Sequence, residues 1–548
     1  MSSITSKQTA EEKELQSVAK TVTAYEFSEL EKLARAQQEV EHGLSKWEAI
    51  KTYPKAFFWI CAGIFIAILV GYESQAGGIV LSIPRFREDF GNAYQGGYVL
   101  PADWQSAITG GATGALVVGS FFGSFTTDKW GRKWVIMFAL LLSIPSVILE
   151  FVATTIEVFF AGKFINAFCL GILLTVVTAY IAEISPLALR GVAIASINLA
   201  LCVGPFLCYI ITYKTQNKVG RMAYRSMMIP QFIIAGISIV WCLFLPESPY
   251  YLLTKDKTEK TLKSLNKIYK GSDLVEAQYA LMKVTIQEAQ LANGEGSSLQ
   301  ELFYKRNFKR TLAGVCSFLI QPLSGVAFIS GYSTYYYQLA GFTDDRSFQL
   351  SCGAQGLSIF GTITSWFTLD FFGRRSLMII GTTCMAVLNL LVACLGLNIN
   401  NIPAVTASCA FMAMYNFFYN ASIGPGAYVV SGEVPTNNLR SKTIATGSFL
   451  NNGIQCMWSF VLPYMFNPDQ ANMGSKVLFI FGGLSALYLL VFFFYLPETA
   501  GRSFEEIDEM FNDKIPIRKF KGHKCRVQIE AAQVFNEVKG EINHIERV

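Results

Sequence analysis

Apolar and polar positions fall along this chain in long blocks: runs of about twenty mostly apolar residues are separated by short polar turns, and a run of that length crosses ~30 Å of hydrocarbon as an α-helix. These runs predict spans at 57–80, 105–126, 134–154, 157–181, 191–213 and 227–245, and again at 311–338, 350–370, 376–397, 404–431, 443–466 and 476–496. The expected fold class is an all-α membrane protein, about twelve transmembrane helices in two six-helix bundles at 57–245 and 311–496. A tail at 1–56, a hydrophilic connector at 246–310 with helical patterning such as Leu274–Leu291, and a second tail at 497–548 complete the division. The charged segment before the first run is too long for a secretory signal, so that run is read as an uncleaved anchor.

A fused duplication places similar loop motifs half a chain apart. DKWGRK at 128–133 returns as DFFGRR at 370–375, an offset of 242; EISPLALR at 183–190 returns as EVPTNNLR at 433–440, an offset of 250; PESP at 246–249 returns as PET at 497–499, an offset of 251. Three matches in one order at nearly one offset indicate two parallel repeats, the arrangement in which halves rock about a central site and expose it to each side in turn. Lys129, Arg132, Lys133, Arg190, Arg374, Arg375, Arg440 and Lys442 gather on one side with the basic connector, which makes that side cytoplasmic and puts both termini there. Lys214, Lys218, Arg221 and Arg225 fall on the opposite side, against the trend.

Composition narrows the function classes. Hydrophobic residues make up 52% and charged residues 16%, with the charges crowded into the tails and the span 254–310, the segregation that a bilayer imposes. A net charge of +5 over 548 residues gives no reason to expect a nucleic-acid partner. His42, His523 and His544 lie in the hydrophilic tails, which removes imidazole from any buried catalytic or metal site, and eleven of the twelve cysteines sit in apolar runs without CxxC spacing, as small buried hydrophobes do. With no GxSxG, HExxH or P-loop either, no enzyme, cofactor or metal is expected.

Glu73 interrupts an apolar run, where a carboxylate is by default paired, protonated or facing a water-filled path. Lys163 is the cation placed to meet it. The two form either a static ion pair or a proton-coupling pair, in which a carboxylate that gains and loses its cation as the halves rock also loses and gains a proton. At the repeated turns, Asp128 or Glu183 with Arg132 or Arg190, and Asp370 or Glu433 with Arg374 or Arg440, are either topogenic charge or interhelical gating latches. Asn198, Gln321, Tyr332, Tyr428, Asn451, Asn452 and Gln455 put neutral donors, acceptors and aromatic faces at mid-membrane depth. Each alone serves as well for helix-to-helix contact, but together they favour an uncharged polyhydroxylated solute such as a sugar. Gly204-Pro205, Pro322, Gly325 and 424–426 (GPG) mark places where helices break beside a cavity.

Over residues 46–520 these motifs resemble the sugar porter branch of the major facilitator superfamily, on DKWGRK at 128–133, EISPLALRG at 183–191, PESPYYL at 246–252, DFFGRR at 370–375 and PETAGRSFE at 497–505. Tyr53–Ala56, Gly331–Tyr335 with Ala340-Gly341, Phe418–Ala421 and Glu505–Phe520 are similar to fungal maltose and general α-glucoside permeases. The resemblance implies the twelve-helix fold, a central site between the halves and proton symport. Gln321 matches the first glutamine of the family's seventh-span QQ pair, Asn451 an eleventh-span asparagine, and Glu73 the first-span acid after Gly-Tyr. Departures are Pro322 at the second glutamine, Ala327 at an asparagine, Tyr428 at a tryptophan, Asn198 at a glutamine, Lys163 at an arginine and Ser124 at a glycine. Val70 and the region of Leu116 stand where the α-glucoside permeases carry further acids.

The leading expectation is a plasma-membrane sugar:proton symporter for a maltose-like α-glucoside, acting as a monomer in the lipid bilayer. A proton-independent facilitator, an exporter of a polar fungal metabolite and a non-transporting nutrient receptor are the alternatives.

Overall fold

The structure is a computed structural model and describes residues 32–34, 36–37, 40–41, 44–94, 97–269, 271–293, 299–398, 401–500, 502, 504–523 and 525. His42 and His544 lie outside the described residues, as does the side chain of Asp370. Six long helices form the first half: α1 (Pro54–Leu81), α2 (Ala102–Trp130), α3 (Arg132–Val152), α4 (Ile156–Ile184), α5 (Leu187–Thr215) and α6 (Ile229–Phe244). The second half repeats them as α7 (Lys305–Leu323 continued by Val326–Leu339), α8 (Asp344–Phe372), α9 (Arg374–Leu395), α10 (Ile402–Phe418 continued by Gly424–Glu433), α11 (Asn437–Phe466) and α12 (Val477–Tyr495).

Among the described residues, nine helices are long and apolar enough by themselves to cross a membrane. The other three are α8, α10 and α11, which carry more amides and hydroxyls or are interrupted, as helices facing a polar interior are. The outer faces behave as lipid demands: Phe125, Trp134, Phe244, Phe371 and Leu487 are large, apolar and exposed.

Where helices break, side chains take up the freed backbone groups. In α7 the chain turns at Gly325, whose φ of +93° suits glycine, and the Ser324 carbonyl accepts from Asn389 Nδ2 at 2.8 Å and Tyr415 OH at 2.9 Å. In α10 a π turn at Tyr419–Ile423 leads into Pro425, which has no N–H for the carbonyl of Ala421; Thr368 donates its hydroxyl there instead, at 3.2 Å. A second π turn, Ala107–Gly111, bends α2.

Three features were not legible as spans. A short helix, Pro84–Phe90, and a hairpin pairing Asn92–Tyr94 with Gly97–Val99 cap the end of the first half. The connector folds into Pro249–Thr254, Thr258–Ile268 and Ser272–Asn293, the last covering the patterned stretch 274–291. The basic cluster before α6 has a structural account: Arg225 donates to the carbonyls of Val152 and Ala153, both at 3.3 Å, at the negative end of the α3 dipole. Arg221 lies 3.4 Å from Asp89, and Lys218 donates to Ser226.

Candidate functional site

Glu73 of α1 and Lys163 of α4 form an ion pair with almost no exposure on either side chain. One Glu73 oxygen, Oε2, has no hydrogen-bond partner. A third ionisable group shares this interior: Glu150 of α3, 1% exposed, interacts electrostatically with both and accepts from Asn166 Nδ2 at 3.4 Å. Ser143 donates to Asn166 Oδ1 at 2.7 Å, which fixes the orientation of that amide. Gly162 makes the approach possible, because a Cβ there would meet the Glu150 backbone amide and Cγ. Glu150 is not among the residues that the sequence picks out, although the rule that singles out Glu73, an acid within an apolar run, applies to it equally.

The neutral polar residues divide into groups. Asn198 is half-buried on α5, and its buried Nδ2 has no partner. One helical turn further on, the Cys202 thiol meets Thr362 Oγ1 at 3.4 Å and Asn420 Oδ1 at 3.5 Å, and the Cys202 carbonyl accepts from Gln355 at 3.2 Å. This brings α5, α8 and α10 together at mid-depth. Gln321 donates to the Gly424 carbonyl at 3.2 Å, beside the broken part of α10. Asn451, Asn452 and Gln455 are half-buried on α11, and Tyr428 is 61% exposed with its ring edge-on to Phe318. Tyr332 stands apart: it is buried, and its hydroxyl is 2.9 Å from Thr109 across the junction of the two halves.

Among the described residues, hydrogen bonds between the halves gather at the end away from the two Gly-Arg turns. Gln75 Nε2 donates to the Ser330 carbonyl at 2.5 Å and Gln338 Nε2 to that of Ser82 at 2.7 Å, joining α1 to α7. Gln105 to Asn467 and Tyr464 to Asp103, each at 2.8 Å, join α2 to α11, and Gln216 to Asp345 and Gln349 to Tyr213, also at 2.8 Å, join α5 to α8. Gly78 lies against the backbone of Gly331, with no room for a side chain. Toward the turns the bonds give way to an aromatic contact, Phe121 with Phe449 at 5.7 Å, and to a crevice of about 990 Å³ between α5 and α8, lined by Ile64, Ser196, Trp366 and Phe367 among others. One end is closed and the other parted.

At the parted end each half carries the same junction. Arg132 Nη2 is 2.7 Å from Glu183 Oε1 and Arg374 Nη2 is 3.0 Å from Glu433 Oε1. Ser248 donates to Glu183 Oε2, and Thr499 donates to Glu433 Oε2 at 2.5 Å. Glu247 and Glu498 accept the backbone amides of Arg132 and Arg374, each at 2.8 Å, and so cap α3 and α9 with a negative charge at the positive end of each dipole. The preceding Gly131 and Gly373 have φ of +90° and +82°, and a Cβ on either would strike the capping carboxylate. Burial, with the Glu247 carboxylate next, holds the Tyr251 phenol above its ordinary range, so it stays protonated and donates to the Lys129 carbonyl at 3.0 Å.

The pairings thus form within each half. Asp128, at the end of α2, is 83% exposed and 3.9 Å from Arg132 at the start of α3, so the closer and less exposed Glu183 is the main partner. Arg190 is exposed and Arg440 half-buried. Glu247, Ser248, Glu498 and Thr499 were used in sequence only as markers of the repeat, although a repeated Glu-Ser/Thr after Pro was itself the signal that these residues have a job.

Two bundles with matched Gly-Arg turns, a polar interior and one closed end define a multi-pass membrane transporter of the major facilitator fold. The structure superposes on the inward open conformation of the xylose transporter XylE from E. coli with a TM-score of 0.67, covering 83% of this chain and 99% of that one at 19% identity. The chain belongs to the sugar transporter family, whose profile, "Sugar (and other) transporter", matches residues 59–511. It is 27% identical to the general alpha-glucoside permease of Saccharomyces cerevisiae over 88% of this chain and 79% of that protein. It is also 29% identical to the maltose permease MAL31 of the same yeast, over 90% and 81%. A major facilitator-type transporter, ecdD of Aspergillus rugulosus, is 28% identical over 82% and 85%. These relatives are permeases and transporters, not enzymes.

Proposed function

We propose that the protein is a plasma-membrane sugar:proton symporter for a maltose-like α-glucoside, monomeric, with both termini in the cytoplasm and its parted end facing the cytoplasm. In this reading 57–245 and 311–496 are the bundles that rock, with the connector 246–310 and the tails 1–56 and 497–548 on the cytoplasmic face. The identity of the yeast relatives as α-glucoside and maltose permeases supports the solute class, and Asn198, Gln321, Tyr428, Asn451, Asn452 and Gln455 supply amides for hydroxyls and an aromatic face for ring carbons.

The observation that carries the coupling is the buried trio. Glu73, Glu150 and Lys163 ionised together leave one negative charge in excess, and an uncompensated buried charge costs several kcal/mol. One of the two carboxyls therefore holds a proton while the trio is enclosed. In the proposed cycle the trio takes up a proton together with sugar while the cleft opens outward, and gives it up when the cleft opens fully to the cytoplasm and water reaches the trio. The Arg132–Glu183 and Arg374–Glu433 junctions act as gates by keeping each bundle rigid at the parted end while it tilts, and Tyr332 acts from the closed end through Thr109.

One observation favours a second reading, a proton-independent facilitator: both Glu73 and Lys163 are almost wholly enclosed, as a static structural pair is. Uptake of labelled mono- and disaccharides by a transport-null host, with and without a protonophore, separates the two. Maltose accumulation that collapses on uncoupling is the expected outcome, whereas uptake that equilibrates and ignores the protonophore overturns the symport reading. An absence of inward flux for every sugar points to the export of another polar metabolite.

A further inference from the structure

Beside the first-half junction, outside the transport path, lies a pocket of about 350 Å³ whose lining includes Lys133, Lys257, Lys260, Lys263 and Lys267. The connector helix Thr258–Ile268 explains the convergence. Thr261, Ser264, Leu265 and Ile268 face inward and are buried, which turns Lys260, Lys263 and Lys267, three and four residues apart, to one outer face. Ser264 bonds to the Glu247 carbonyl, and Trp59 Nε1 donates to the Lys267 carbonyl at 3.4 Å, so the helix is held against the bundle with this face fixed. The one carboxylate in the lining, Glu247, is already engaged by the amides of Arg132, Lys133 and Ser248, and Lys263 pairs with Glu259 at 2.6 Å. Lys257, Lys260 and Lys267 remain exposed around the pocket, and among the described residues no carboxylate lies within salt-bridge distance of them.

Depth tells which anion fits. Trp130 and Trp134 line the same pocket and are 51% and 65% exposed, and indoles in that position sit at the headgroup level of a bilayer. Clustered lysines immediately cytoplasmic of a membrane helix draw multiply charged anionic headgroups. We propose that this pocket binds the headgroup of a polyphosphorylated inositol lipid of the cytoplasmic leaflet, its phosphates among the lysines and its chains beside the two tryptophans. Because Glu247 and Tyr251 form another wall, the bound lipid ties the connector helix to the cap of α3 and stiffens the gating junction. The proposal rests on the reading that the parted end is cytoplasmic.

The test uses the full-length purified transporter in nanodiscs and short-chain phosphatidylinositol bisphosphate as probe, with free inositol trisphosphate and phosphatidylserine in parallel. The Lys257→Gln, Lys260→Gln, Lys267→Gln triple variant removes three cations facing an anionic surface and is expected to bind the lipid on the order of a hundredfold more weakly. The matching arginine variant should retain binding, and Lys214→Gln with Lys218→Gln at the other end should leave it unchanged. Equal lipid binding by the triple glutamine variant overturns the site, and tighter binding of the free headgroup than of the lipid overturns the lipid source. Labelling of Lys257→Cys by an impermeant reagent on intact cells, above that of the unsubstituted protein, overturns the orientation alone, since binding in nanodiscs does not depend on it.

Discussion

The two halves share a scaffold but not a chemistry. The first encloses three ionisable groups, Glu73, Glu150 and Lys163, far from water. Among the described residues of the second half, the buried charged side chains Arg310, Glu498 and Glu506 lie toward the junction face, and the buried polar groups along its spans are neutral, such as Gln321, Asn389, Asn416 and Asn420. At the junctions, by contrast, the halves agree residue for residue, with Glu183, Arg132, Glu247 and Ser248 matched by Glu433, Arg374, Glu498 and Thr499. The repeat keeps the parts that hold a bundle together, whereas the interiors differ: buried charges, the proposed coupling groups, lie in one, and neutral amides and hydroxyls lie in the other.

That contrast is sharpest when the charge balance is disturbed. Lys163→Met leaves two buried carboxyls without a cation and is expected to destabilise the protein by about 3–5 kcal/mol, read as a lowered thermal midpoint in detergent. Adding Glu73→Gln to it should recover most of that loss; no recovery would mean that the trio is not one electrostatic unit. Arg132→Ala and Arg374→Ala each remove charge-assisted hydrogen bonds of about 1.5–3 kcal/mol, and if the junctions are equivalent the two should slow transport by similar factors. A large effect in one half alone would break the symmetry argued here. Gln321→Ala or Asn451→Ala should raise the KM for sugar by roughly fivefold to tenfold, about 1–1.5 kcal/mol, while leaving the number of protons per sugar unchanged. Asp128→Asn, on an exposed side chain, should alter stability by less than about 0.5 kcal/mol.

Much of the architecture was legible because lipid writes it into the chain. Span length, the repeated turns and the misplaced acid Glu73 each follow from a local rule, and the Glu73–Lys163 pair is found as the sequence suggests. What escaped was set by contacts between distant segments. Glu247 caps a helix that begins 115 positions earlier, and the repeated Glu after Pro marks the position without revealing that distant partner. The turn at Ser324-Gly325 is stable because Asn389 and Tyr415 reach it from α9 and α10. Tyr332 looks in sequence like any mid-span tyrosine, and its place in the closed end depends on a π turn in the opposite half that brings Thr109 to it. Asp128 recurs as regularly as Glu183 yet is 83% exposed, because spacing reveals which residues recur but not which of them face inward.

The division of labour between the halves is tested most directly by recording sugar-triggered proton uptake and labelled maltose entry together in cells expressing Glu73→Gln or Gln321→Ala. Glu73→Gln is expected still to exchange maltose across the membrane but to take up no protons with it, whereas Gln321→Ala takes up both, weakly and in the wild-type ratio. Proton uptake that persists in Glu73→Gln, or a changed ratio in Gln321→Ala, would contradict that division.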